Sequence, residues 1–426
     1  MTKQELLPAI VTAMVVSSFC WAGSSTDAAG ENTVLRSRVE ALEKQVQELT
    51  AGKHGTGTPL WSSLDVQFYG YLKADAAYDD SRTTSGNFVV WANNEALRHE
   101  DDEFNLTANE TRLGLLINGP KSGGMETSGR IEFDFYGNFA EENKAKIQMR
   151  HAYMEFLWPA SGFSILAGQT WDVMSPLNPS TLNYTVLWDA GNIGYRRPQI
   201  RVTQDVMLCD ETTLRFQGAV ARTIGDDEET TEAGEDAGFP SLQGRAGLTF
   251  PWLSAGATTL GVSGHWGQEE YDEMPRGHGD ADSWSVNLDL LQPLCSKTTL
   301  KAELFTGANL NTYFGGIGQG VRPITNADNE IIGYDDEIAS KGGWAALALG
   351  PWDEWTFNLG AGVDDVDAGD VNLDQRTLNR TVFANAIYAL NEHADVGVEL
   401  SHWRTEYRGT GDADNVRVQA AFKYKF

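Results

Sequence analysis

The chain closes on VRVQAAFKYKF, Val416 to Phe426. Val416, Val418, Ala420, Phe422, Tyr424 and Phe426 alternate with Arg417, Gln419, Lys423 and Lys425. That is the two-residue period of a β-strand with one apolar and one polar face. A basic face is unexpected here, because the 426 residues carry 60 acidic and 32 basic side chains, for a net charge of −28. The alternation predicts a strand whose apolar side meets lipid and whose basic side faces an interior. A strand edge has no partner in hydrocarbon, so this last strand must pair with the first and close a barrel.

The rest of the chain repeats the pattern. In LDVQFYGYLKADA (Leu64 to Ala76), Val66, Phe68, Gly70 and Leu72 share one face, while Asp65, Gln67, Tyr69, Tyr71, Lys73 and Asp75 share the other. In METSGRIEFDFYG, Ile131, Phe133 and Phe135 oppose Arg130, Glu132 and Asp134. Sixteen such segments run from about residue 64 to the C-terminus. Links after even-numbered segments are short (NGPKSGG, PASG, PWLSA, PWDE, NEH), and most links after odd-numbered ones are long and polar. A sandwich has no cause to sort its loops, whereas an outer-membrane barrel has short periplasmic turns and long external loops. The predicted fold is all-β: a 16-stranded antiparallel transmembrane β-barrel over 61–426, preceded by a short N-terminal coiled-coil helix.

Three segments precede it. Lys3 followed by LLPAIVTAMVVSSFCWA (Leu6 to Ala22) reads as a signal peptide over 1–22; the apolar run is too short to span a bilayer comfortably, and Phe19 is too bulky for a lipoprotein site at Cys20. Residues 23–51 form a periplasmic segment in which Leu35, Val39, Leu42, Val46 and Leu49 repeat at 4-3-4-3 spacing. So narrow a stripe fits a coiled-coil seam, or else one amphipathic helix lying on a domain. Arg38 and Glu43 at g and e positions can pair between helices, and RVEALE is similar to trimer-specifying motifs of short coiled coils. GKHGTGTP within 52–60 is a linker.

Charge is uneven. Runs such as EDDE, GDDEETTEAGED, QEEYDE, YDDE and DDVDAGD put most acidic residues in the long loops. No basic excess exists for nucleic acid. The runs are solvated loops or divalent-cation sites bridging lipopolysaccharide; none has EF-hand spacing, so no metal site and no cofactor is predicted. Strand phase turns Lys73, Arg112, Arg130, Glu132, Asp134, Arg150, Arg197 and Arg201 inward as candidate pore-lining residues. The arginines form either an anion-guiding ladder or ion pairs with Glu110, Glu132, Asp134 and Glu155. Alternation turns His151 toward lipid or a subunit interface. Residues 170–195 are long yet barely charged, as expected of a loop folded into a lumen. Cys209 and Cys295, in equivalent short turns four strands apart, are beyond disulfide reach along the wall, leaving free thiols or an intersubunit bridge.

The layout, with RHAYMEF (Arg150 to Phe156), LAGQTWD (Leu166 to Asp172) and GNIGYRRPQIRVT (Gly191 to Thr203), resembles the DcaP-like trimeric outer-membrane porins of Gram-negative bacteria. The resemblance implies a homotrimer, a periplasmic coiled coil, and diffusion of small, often anionic, organic molecules. It carries over to Arg150, Arg197 and Arg201; the acidic loops and two cysteines depart from it. Seven scattered histidines and the absence of HExxH, GxSxG or CxxC motifs argue against an enzyme. The expectation is therefore a passive porin leaning to carboxylates, with outer-membrane lipid, lipopolysaccharide and solutes as partners. The alternatives are a cation-preferring porin governed by its acidic loops, and a structural or tethering protein.

Overall fold

The computed structural model describes residues 64–426, apart from 96–100, 138–144, 226–233, 236, 254–255, 272–274, 278 and 329. The signal-peptide, coiled-coil and linker expectations, including Leu35, Arg38, Val39, Leu42, Glu43, Val46 and Leu49, fall outside the described residues.

The strands are β1 (Asp65–Asp79), β2 (Glu103–Thr107), β3 (Arg112–Asn118), β4 (Glu126–Asp134), β5 (Gln148–Trp158), β6 (Phe163–Trp171), β7 (Arg196–Cys209), β8 (Thr212–Ala221), β9 (Ser241–Leu253) and β10 (Gly256–Glu270). They continue with β11 (Arg276–Gly277), β12 (Asp280–Cys295), β13 (Thr298–Ala308), β14 (Val321–Thr325), β15 (Ile331–Glu337), β16 (Ala339–Trp352), β17 (Trp355–Val366), β18 (Arg376–Ala389), β19 (Ala394–Tyr407) and β20 (Gly411–Lys425). β2 and β3 pair with the upper and lower halves of β1 and act as one interrupted strand. β11, β14 and β15 form a small separate sheet. The remaining pairings make a closed 16-stranded antiparallel barrel.

The C-terminal strand closes it. β20 pairs with β1 from Tyr71↔Lys425 to Asp79↔Arg417. Phe426 stacks on Phe68 with ring centroids 5.1 Å apart. Val418, Phe422 and Tyr424 are exposed on the outer face, while Arg417 and Gln419 are buried inside. Exposed Trp252, Trp352, Trp355, Phe357 and Tyr424 mark the end that carries the short turns, as an interfacial aromatic girdle does. The wall is uneven: β3 to β6 have 7, 9, 11 and 9 residues, against 15 in β10 and 16 in β12.

The hydrophobic core lies inside the barrel. Residues 80–94, 172–195 and 309–320 fold inward and pack together. Val89, Leu187 and Ala190 meet inward-facing Trp344, Phe383 and Trp403, and Phe88, Val90, Tyr184 and Trp188 form a second cluster. The 172–195 loop lies directly on the wall. A Cβ on Gly362 would sit 2.0 Å from Ala190 O, and one on Gly191 (φ +113°) 2.1 Å from Gly343 O. Only glycine allows backbones so close. The low charge of this loop follows from its position among buried apolar side chains.

Candidate functional site: the charged waist of the lumen

Alternation along β1 and β3 to β7 sends polar side chains inward at mid-height. Glu132 on β4 is the hub. Its carboxylate accepts from Arg150 Nε at 2.8 Å, Arg130 Nη2 at 2.5 Å and Tyr69 OH at 2.8 Å, with Arg112 Nε 3.6 Å away. Asp134 accepts from Arg150 Nη1 at 2.7 Å and Tyr184 OH at 3.1 Å. The predicted pairing of arginines with Glu132 and Asp134 is thus found. Glu110 instead binds Lys73, which also lies 3.2 Å from Asp75 and donates to Leu182 O at 3.0 Å.

Exposure separates the two signs. The Arg130 and Arg112 side chains keep 31% and 22% of their surface, but Glu132 and Asp134 keep 2% and 0%. The carboxylates lie beneath the guanidiniums, so water meets the cations. Arg201 donates to Gln199 Oε1 at 3.0 Å and to Trp171 O, and Lys423 sits 4.6 Å above the Tyr71 ring. Neither forms an ion pair among the described residues. Both are half-buried, so each keeps part of its charge open to the lumen.

Two candidate residues are walled off. Arg197 points inward but is buried, 2.8 Å from Asp172, donating to Thr312 O at 3.0 Å and lying 3.6 Å from the Tyr313 ring centroid. It clamps the 309–320 loop rather than lining open water. Arg150 is likewise buried under Tyr184. Sequence phase places Arg196 on the opposite face from Arg197, yet both are buried, because β7 begins where the inward loop ends. Arg196 lies 4.7 Å and 4.8 Å from the Tyr195 and Trp171 rings.

His151 corrects the sequence reading. It does not face lipid. A bulge between Glu132 and Phe133 places both Arg150 and His151 inside, where His151 Nδ1 is 3.0 Å from Thr170 Oγ1. One extra residue reverses strand phase, and no residue type in RHAYMEF announces it. Cys209 and Cys295 are free and exposed.

The opposite wall carries acids that never reach the water. Glu303 on β13 accepts from Leu177 N at 2.8 Å and Trp344 Nε1 at 3.0 Å. Glu399 on β19 accepts from Thr181 Oγ1 and Leu182 N, both at 2.7 Å, and from Asn385 Nδ2 at 2.8 Å. The 172–195 loop therefore caps these carboxylates with its own donors. Sequence phase had no signal for this capping.

No family model matches the chain, and no curated protein does. Solved structures do. The outer membrane channel DcaP of Acinetobacter baumannii aligns over 86% of this chain and 98% of its own, at 20% identity and TM-score 0.70. The anion-selective porin from Comamonas acidovorans aligns over 85% and 100%, at 12% identity and TM-score 0.53. In-vitro folded OmpT of Vibrio cholerae, in its trimer form, aligns over 86% and 100%, at 8% identity and TM-score 0.51. At these identities the likeness is one of fold. The resemblance read from sequence motifs thus meets the DcaP channel again as a shared barrel.

Proposed function

We propose that this chain is a passive outer-membrane porin for small hydrophilic solutes, with a preference for small organic anions such as carboxylates. One observation carries the preference: at the waist Arg112 and Arg130 keep part of their surface while the carboxylates of Glu132 and Asp134 are buried. A carboxylate solute passing Arg112, Arg130 and Arg201 meets planar guanidinium donors, and at Lys423 an ammonium. The acidic external loops favour the cation-preferring alternative. Their field, however, is screened within about 8 Å at physiological salt, whereas the waist acts at contact distance.

The assembly is a homotrimer. Support comes from the low wall at β4 and β6, whose strands are too short to bound a full apolar band: nine residues tilted by about 45° rise roughly 21 Å against an apolar band about 25 Å tall. The residue 23–51 segment is its periplasmic coiled coil, released by cleavage of residues 1–22 and joined through 52–60 to the barrel. Outer-membrane lipid and lipopolysaccharide surround it. The scattered histidines and the channel-like fold support a role without catalysis.

Liposome swelling tests the reading. Vesicles carrying the protein should admit small carboxylates faster than amines of equal size. Replacing Arg112, Arg130 and Arg201 together by Gln should remove that difference. Equal rates for both solute classes in the unaltered protein would refute the anion preference while leaving a channel.

A further inference from the structure

β7 begins with two adjacent arginines whose surroundings differ. Arg197 has the Asp172 carboxylate 2.8 Å from its Nε. Arg196 forms no ion pair among the described residues. It keeps 2% of its surface, and none of its three side-chain nitrogens meets a hydrogen-bond partner there. The acids nearby are already taken: Glu132 by Arg130 and Arg150, Asp134 by Arg150, and Asp172 by Arg197.

Three aromatic rings surround the Arg196 guanidinium instead. Its Cζ lies 4.7 Å from the Tyr195 ring centroid, 4.8 Å from Trp171 and 5.9 Å from Trp188. The rings also pack on one another, with Trp171 and Trp188 6.2 Å apart and Trp188 and Tyr195 5.7 Å apart. Trp188 belongs to the inward 172–195 loop and its cluster with Phe88, Val90 and Tyr184. Trp171 is shared. The Arg150 guanidinium, which binds Glu132 and Asp134 at the waist, lies 6.0 Å from the same ring. One indole therefore stands between Arg196 and the charged waist.

Aromatic faces attract a cation, but they carry no net charge. They offset part of its desolvation and leave its charge in place. Arg197 and Asp172 together present a dipole, whereas Arg196 presents a whole charge in apolar surroundings that screen it poorly. Burying a charge without an opposite partner works against folding. A residue that breaks this rule marks a candidate functional position.

We propose that Arg196 is a selectivity-determining residue of the channel, which favours anions at the waist through its field without touching them. The inference rests on the channel reading of the protein. The competing role is that of an anchor, a cation pinning the inward loop to β6 and β7 through its ring contacts. One substitution separates the two. Arg196→Met keeps a long side chain that packs well on aromatic rings and removes the charge.

The test is planar-bilayer recording of the purified full chain under a potassium chloride gradient. Arg196→Met should lower the chloride-to-potassium permeability ratio about twofold, the order expected of one charge acting over about 10 Å through a screened medium. The urea midpoint should not fall, because an apolar chain of similar volume has replaced an unpaired buried charge. Arg196→Lys, which keeps the charge, should keep the ratio. Arg196→Gln should lower it as Met does, and it serves if the Met variant lacks the heat-resistant mobility of the folded barrel. An uncharged sugar, indifferent to the field, reports pore width by liposome swelling. A sugar rate that falls along with the ratio would assign the effect to a narrowed pore and overturn the proposal. An unaltered ratio in a folded neutral variant would also overturn it, and a lower urea midpoint beside that result would make Arg196 the anchor. The shift toward potassium is expected whichever ion the unaltered protein prefers. A cation-selective protein that still shifts refutes the anion preference alone, and an anion-selective one that does not shift refutes this inference alone.

Discussion

On β3 to β7 the carboxylates lie under guanidiniums, and on β13 to β19 they lie under loop backbone. Glu132 and Asp134 are covered by Arg112, Arg130 and Arg150, so that wall presents positive charge. Glu303 and Glu399 are covered by Leu177, Thr181 and Leu182, so the facing wall presents little charge of either sign. Both walls obey the same inward alternation. The sign the lumen presents is decided by which groups cover the acids, and a count of charged residues does not reveal that.

The largest effect should come from breaking the first wall at its hub. Glu132→Ala leaves three guanidiniums without their shared carboxylate. Removing one side of a buried ion pair costs about 3–5 kcal/mol. Urea unfolding of the purified barrel, followed by loss of its heat-resistant mobility, should shift accordingly; an unchanged midpoint would mean that this network does not hold the wall.

On the facing wall, Glu399→Ala removes the acceptor of three donors and should cost about 1–3 kcal/mol. The change should be local. Hydrogen exchange should rise across 177–190 and stay constant on β3 to β7. A uniform rise would erase the distinction between the walls.

A pH-dependent effect belongs to the loop itself. Burial pushes the Asp189 carboxyl up to about 7, against the opposing pull of the Gly318 N–H, which donates to it at 2.8 Å, and of nearby Arg376. Asp364 reaches the same inward loop, accepting from Gly316 N at 3.0 Å. Its raised value means that packed Asp189 holds a proton that an unpacked one has lost. The contribution to loop anchoring is full below the ordinary Asp value of about 4, falls as pH rises to about 7, and is flat above that. Protection of 309–320 from exchange should therefore weaken between about pH 4 and pH 7 and level off above, by about 1.4 kcal/mol per pH unit at most. Asp189→Asn should flatten that slope, and an unaltered slope would assign it to another group.

Much of the barrel was legible in the sequence, because lipid imposes strict alternation on strands and hydrogen-bond closure on their edges. VRVQAAFKYKF paired with β1 as its pattern demands, and loop lengths sorted the two ends. The low charge of residues 170–195 foretold the inward loop. What escaped was anything set by local departures from period two. The Glu132–Phe133 bulge turned His151 inward, the loop junction buried Arg196, and Arg197 became a clamp. The infolding of 80–94 and 309–320 was also unannounced, since their apolar residues are short runs without periodicity. Capping of Glu303 and Glu399 arises between residues more than 120 positions apart, beyond any local pattern.

The most direct measurement is the zero-current potential of the protein in a planar bilayer under a potassium chloride gradient. The cationic waist predicts a potential of the sign that marks chloride as the more permeant ion, abolished or reversed by Arg112→Gln with Arg130→Gln and Arg201→Gln. A cation-selective potential in the unaltered protein would contradict the account and give control of the channel to its acidic loops.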